Sequence, residues 1–221
     1  MTLADVILSQ DAELWSSEGD CFIHLYGKGK SRRGPSLRVS SEEIKRADCR
    51  SLFSLTGNET VPGTPQSFEL SCSSSDSGYS SGEASDGTRE LYIPASMDAS
   101  REETFDWHLT TRNLFAWMSD KPLVGSSLGQ AFIDLLERMQ LVRPSHIDHV
   151  EDCLAYADYM GYLDFAHSPD YALAMLRFAD HFHLRELWID AFVHCVGMND
   201  SLYLSNEFEV SCPTYVLRLP Y

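Results

Sequence analysis

Gly125-Ser126-Ser127-Leu128-Gly129 satisfies the G-x-S-x-G pattern. At that spacing a nucleophile elbow lifts its serine on a strained turn between a strand and a helix, where the hydroxyl can attack an acyl carbon. An acid and a histidine must follow to draw off the proton, and Asp164, Asp190, His181 and His194 lie downstream in an acceptable order. This is the serine-hydrolase reading, with Ser127 as nucleophile. The elbow also demands a strand directly before it and a parallel sheet to hold it. Here the preceding apolar run, Trp107–Met118, reads as helix, and only "SDKPLV" separates it from Gly125. A serine capping the helix of "LGQAFIDLL" accounts for the same letters, because its side chain accepts from free N–H groups of the first turn. Ser126 or Ser127 is therefore expected as an N-cap, and no catalytic residue is assigned.

"HFHLRELWIDAFVHC" offers metal-ligand chemistry. At helical spacing His183, Glu186, Asp190 and His194 fall on one arc. A metal needs ligands that converge, whereas His183 to His194 spans about 16 Å of helix axis. Asp190 and His194 could serve only in a site completed by another element, which is the metal-binding-regulator alternative. Leu184, Trp188, Ala191, Phe192 and Cys195 occupy the opposite side. The four polar residues are thus expected as a solvated face, with no metal and no cofactor. His146 and His149, at i and i+3, are read in the same way.

Two short segments carry charge chemistry. "KGKSRRGP" holds Lys28, Lys30, Arg32 and Arg33 and could serve as a basic patch, but it reads first as a solvated hairpin loop. "DSGYSS" (Asp76–Ser81) resembles the D-S-G-hydrophobic-x-S phosphodegron. Phosphates on Ser77 and Ser81 would present paired anionic groups to an arginine-rich receptor.

The elements that must position these residues follow from pattern. "DCFIHLY" and "SLRV" read as two strands around the basic loop, and "ELYIP" (Glu90–Pro94) as another strand ended by proline. Ser40 or Ser41 is placed to cap a short helix through "EEIKRADC". Ser100 with Glu103 makes a capping box for "ETFDWHLTTRNLFAWM", which is apolar nearly all round and expected to be buried. Leu128, Phe132, Leu135, Leu136 and Met139 form the apolar stripe of the next helix. Ser145 is expected to cap the helix whose Val150, Leu154, Ala157 and Gly161 share a face. Ser168-Pro169 opens another, lined by Tyr171, Met175, Phe178 and Phe182, and "LRELWIDAFVHCV" is the last, closed by Gly197.

Composition bounds the rest. The 221 residues are 43% hydrophobic, enough for a core, and carry a net charge of −16. That balance argues against nucleic acid and anionic membranes, whose binding rests on Lys and Arg neutralising phosphates. No stretch approaches the ~18 apolar residues of a membrane span, and no secretory leader is seen. Six scattered cysteines without C-x-x-C read as free thiols in a reducing compartment, cytoplasmic or nuclear. Half of residues 71–86 are serine, so 56–88 is read as a disordered insertion that cannot offset its ordering entropy.

Two parts of the chain carry a resemblance. "DCFIHLY…SLRVSSEEIKRADCRSLFSL" resembles the opening of BTB/POZ domains, and "CLAYADYMGYLDF" with "YALAMLRFADHFHLRELWIDAFVHCVGM" resembles the helix pairs of that class and its BACK-like helical extension. The strings from about Asp20 to Glu209, apart from the insertion, also look like an uncharacterised family of filamentous fungi. The resemblance implies an α+β, mostly helical fold: a BTB/POZ-like small sheet with packed helix pairs and a helical extension. It implies an N-terminal arm (1–18), a BTB-like domain (19–165) interrupted by the insertion, a helical extension (166–200) and an irregular tail (201–221) expected to be truncated. Ser40-Ser41 stands where BTB domains carry His-Lys, and residues 1–18 lack the dimer-forming element. Both departures bear on homodimerisation and cullin binding, so a homo-oligomer has no motif in its support. The expected function is a non-enzymatic protein–protein interaction module, an adaptor or scaffold, with a protein partner the sequence does not name.

Overall fold

A computed structural model describes residues 11–54, 71–73 and 88–208. The chain is α+β and mostly helical, with one small sheet. It divides into two compact units: the residues up to Lys121 together with Gln140–Ile147, and Pro122–Met139 together with the residues from Asp148 onward. This division groups the helices on both sides of residue 166, so it does not coincide with the 165/166 border drawn from the resemblance.

The first unit holds the sheet. Strands β1 (Cys21–His24) and β2 (Leu37–Val39) pair antiparallel, Cys21 opposite Val39 and Ile23 opposite Leu37. They alternate as a half-buried strand should: Cys21, Ile23, Leu37 and Val39 are buried, while Phe22, His24 and Arg38 are half-exposed. β4 (Arg89–Tyr92) runs parallel to β1. β3 (Ser71–Ser73) pairs antiparallel with β4 and completes the order β2-β1-β4-β3. Thus three residues of the segment expected to be disordered form a strand, because β4 offers them an open edge; most of the remainder lies outside the described residues. On the other side, Ser16 N–H donates to the Arg38 carbonyl (2.8 Å) and Arg38 N–H to the Leu14 carbonyl (2.9 Å), laying residues 11–16 along β2.

Helix α1 (Ser41–Arg46) is capped by Ser40, and the Asp20 carboxylate accepts from both Ser41 N and Ser41 Oγ at 2.6 Å. Burial pushes the Asp20 carboxyl up, but the Ser41 hydrogen bonds and the Arg89 charge outweigh it and hold it below the usual carboxylate range. The Ser51 hydroxyl, at the start of α2 (Ser51–Ser54), donates to the Val142 carbonyl. Helix α3 (Arg101–Met118) begins with the expected capping box between Ser100 and Glu103. Its first turns are solvated, and burial sets in at His108. His108 Nε2–H donates to the Leu25 carbonyl at 2.9 Å, since a carbonyl can only accept. Arg112 is 2% exposed and is held by Asp11 at 2.8 Å and Glu13 at 2.6 Å, which ties the segment before β1 to the middle of α3.

The second unit is helical. Of helix α4 (Leu128–Val142), the residues through Met139 belong here and bury Phe132, Leu135, Leu136 and Met139, the expected stripe, with Leu128 half-buried. Helix α5 (His149–Tyr159) is capped by Asp148, whose carboxylate accepts from Val150 N and Glu151 N; Ser145 lies in the turn before it. Its buried face is His149, Cys153, Tyr156 and Ala157; of the expected face of Val150, Leu154, Ala157 and Gly161 only Ala157 belongs to it, Val150 and Leu154 being half-buried. Gly161 lies beyond the helix at φ +77°, a left-handed conformation that glycine takes without strain and that lets Tyr162 N–H close on the Ala157 carbonyl. Helix α6 (Pro169–His181) starts with Ser168 as N-cap and proline at the first position, as expected. Phe132 sits between aromatic rings of three elements, with centroids 5.4 Å from Tyr162, 5.8 Å from Phe178 and 6.3 Å from Tyr156. Helix α7 (Arg185–Gly197) and the short α8 (Asn199–Leu202) complete the unit. Among the described residues, no helix is long and apolar enough to cross a membrane.

Candidate functional site

Between Met118 and Leu128 no residue is in a strand, so the local frame of a nucleophile elbow is missing. Ser127 is 6% exposed, and its Oγ accepts from Gln130 N at 3.2 Å, the N-cap bond expected of it. The second half of this cap comes from a residue that no local pattern marks. The Glu207 carboxylate accepts from Ser127 Oγ at 2.9 Å, from Gly129 N at 3.3 Å and from Leu128 N. A buried carboxylate thus sits where the free N–H groups and the helix dipole favour negative charge. Glu207 is positioned in turn by Ser205, whose hydroxyl accepts from Glu207 N at 3.1 Å and donates to Asp170 at 2.5 Å in the first turn of α6. Among the described residues no histidine is a partner of Ser127, and the carboxylate beside it already accepts from three donors. The second glycine of the motif has a packing reason too: a Cβ on Gly129 would stand 3.0 Å from the Ala174 carbonyl oxygen, so its absence permits the close approach of α4 and α6.

On α7, Glu186 and Asp190 are exposed, as is His183 just before the helix. His194 Nε2 lies 3.8 Å from Asp190 Oδ1 on this open face, and its ring meets Phe165 edge-on at 5.6 Å. His146 is exposed and His149 buried, so these two face different surroundings. Among the described residues, no three His, Cys, Asp or Glu side chains are grouped to hold a metal ion. Trp188 and Phe192 stack with ring centroids 4.8 Å apart and planes 11° from parallel, both half-buried. Beside them the helix shows something the polar-face reading missed: Ile189 is 41% exposed, Val193 60% and Val196 53%. Their i, i+4, i+7 spacing places them within an arc of about 60° along two turns. The signal was in the sequence as a helix with apolar residues on nearly every side, but periodicity alone does not say which of them face the core.

Lys28, Lys30, Arg32 and Arg33 are all exposed in the loop between β1 and β2. Beneath the loop lies a half-open cavity of about 100 Å³, bordered by His24, Tyr26, Ser31 and Tyr92 among others. It is smaller than the several hundred Å³ of a typical small-molecule site. His24 stacks on Tyr92 at 4.4 Å, its Nε2 has no hydrogen-bond partner, and burial pulls its pKa below the usual histidine value against the pull of Glu90. Cys21, Cys49, Cys153 and Cys195 are buried, and the last three are free thiols. Burial pushes Cys49 and Cys153 up to about 12 and Cys195 to about 11, leaving almost no thiolate, the nucleophilic and metal-binding form, at neutral pH. Ser77 and Ser81, the expected phosphorylation sites, lie outside the described residues.

Residues 150–219 match a family described as a domain of unknown function, DUF8004. The match takes in nearly all of α5, with α6, α7, α8 and Glu207, and leaves out the Ser127–Gly129 segment that Glu207 caps. No curated protein and no solved structure matches the chain.

Proposed function

We propose that this protein is a non-enzymatic protein–protein interaction module, an adaptor or scaffold, and that α7 is its docking element. The observation that carries this reading is the solvent-facing row of Ile189, Val193 and Val196 beside the Trp188–Phe192 stack. Three adjacent branched aliphatics left in water on a well-formed helix lose the stabilisation that burial would bring, roughly 1.5–3 kcal/mol for each side chain fully buried. Contiguous exposed apolar surface of this kind marks sites where another protein lands. The cap of Glu207 on Ser127 supports a structural role for the G-x-S-x-G motif, and the resemblance to BTB/POZ domains with a helical extension points to the same class of function. Localisation in the cytoplasm or nucleus fits the buried thiols of Cys49, Cys153 and Cys195.

The test is co-purification of tagged full-length protein from its native cells, wild type against Val193→Asp. Val193 is exposed, so the substitution leaves the fold intact while placing a charge in the middle of the row. A stoichiometric partner present with wild type and absent with the variant is the expected result. Identical protein sets from both would overturn the assignment of α7 as the docking element.

A further inference from the structure

From the charges that flank the exposed row on α7, and resting on the docking role proposed above, we infer that its occupant is a basic amphipathic helix: an apolar stripe bordered by Lys or Arg on the flank that faces Glu186 and Asp190. The helix periodicity orders the surface. Phe192 and Trp188, half-buried, lie on one side of the row formed by Val196, Ile189 and Val193, with the exposed Arg185 on that same side in the first turn. Glu186 and then Asp190, both exposed, lie on the other. The apolar row covers about two helical turns, or roughly 10 Å of axis, the footprint of i, i+3, i+4 and i+7 anchors on a partner helix. A helix laid along it has one flank over the aromatic pair and Arg185 and the other over two carboxylates. The second flank is matched by basic side chains and opposed by acidic ones.

The charge of the whole chain selects among occupants in the same direction. Asp and Glu number 33 against 17 Lys and Arg, a net −16. A second copy of this chain would bring Glu186 and Asp190 against an equally acidic body, so homotypic pairing through α7 is disfavoured, whereas a basic helix is drawn in by the same field.

The experiment titrates the full-length protein with three synthetic peptides about 18 residues long, enough for several helical turns. One carries an apolar stripe flanked by lysine, one the same stripe flanked by glutamate, and one the lysine peptide's composition scrambled to abolish the stripe. Isothermal titration gives affinity, and amide chemical shifts locate the site. The expected result is saturable one-to-one binding of the lysine-flanked peptide with shifts centred on α7. That affinity is expected to fall about tenfold or more in Val193→Ser. A fall of several-fold is expected in Asp190→Asn and with rising salt. Equal binding by the scrambled peptide, or shifts elsewhere, would overturn the inference by showing only nonspecific attraction to an acidic protein. Equal or tighter binding of the glutamate-flanked peptide on α7 would overturn the basic partner while leaving the docking role standing. If neither striped peptide moves α7, the helical partner is ruled out, and the co-purification with Val193→Asp decides separately whether α7 docks anything.

Discussion

The Ser127 hydroxyl donates to the Glu207 carboxylate across 80 residues of sequence, at 2.9 Å and out of contact with solvent. The contact converts a motif that spells a nucleophile into the cap of a helix, and it fastens the segment after α8 to the start of α4.

Removing that carboxylate leaves the Ser127 hydroxyl and the Leu128 and Gly129 N–H groups without their acceptor. Glu207→Ala is expected to cost about 1–3 kcal/mol in denaturant unfolding, and Ser127→Ala about 1 kcal/mol. A fluorophosphonate probe is expected to label wild type and Ser127→Ala equally. Selective labelling of wild type would revive the hydrolase reading.

Gly129 and Gly197 should respond in opposite directions to alanine. At Gly129 the new methyl meets the backbone of Ala174 at 3.0–3.2 Å, which cannot swing away, so a loss of about 1–3 kcal/mol is expected. At Gly197, in the last turn of α7, nothing lies within 4 Å, and a gain of about 0.5–1 kcal/mol is expected from lower chain entropy. Thermal melts of the two variants are the check, and destabilisation at Gly197 or indifference at Gly129 would contradict the packing described.

The Arg112–Asp11 pair is 2% and 5% exposed, so truncating one partner strands a charge. Asp11→Ala is expected to cost about 3 kcal/mol, the lower end for a broken buried pair because Glu13 still reaches the guanidinium. Hydrogen exchange should report the loss first in residues 11–16 and β2. A variant as stable as wild type would mean the pair contributes only geometry.

Stability should decline in acid in two stages. Burial lowers the pKa of His24 and His108, with Glu90 and the Leu25 carbonyl respectively opposing the shift. Unfolding frees both rings to take up protons near pH 6.5, so the unfolded state binds more protons there and stability falls as the pH drops below that value. The second stage belongs to Asp20, whose carboxylate is favoured in the fold by the Ser41 bonds over the opposing effect of burial. Its contribution is full above the unfolded carboxyl pKa near 4 and is lost as the pH falls through the lower folded value. His108→Gln should flatten the first stage and Asp20→Asn the second in urea titrations across pH. A first stage unchanged in His108→Gln would assign it to other groups.

Local signals were legible where one stretch of chain contained both halves of the interaction. Ser100 with Glu103, Ser168 with Pro169, and Ser40 before two glutamates each announce a helix start, and each stands there. The cap of α5 is ambiguous in sequence because Ser145 and Asp148 are both competent acceptors a few residues apart, and in the structure Asp148 takes the bonds from Val150 N and Glu151 N. Glu207 was invisible for a different reason: a carboxylate that caps a helix 80 residues upstream leaves no pattern around itself. The row on α7 was lost because valine and isoleucine look alike in sequence whether they face a core or water. Burial, unlike periodicity, is a property of the neighbours.

The cysteines buried in both units also give the molecule internal timers. Cys49 lies in the first unit, Cys153 and Cys195 in the second, and burial both shields the three thiols and pushes them up, so each is expected to react slowly while its surroundings stay closed. Alkylation at neutral pH then runs chiefly through opening events, so the rate at each sulfur measures how often its own neighbourhood comes apart. The two halves of the chain can be followed separately in one sample, without introducing a single label.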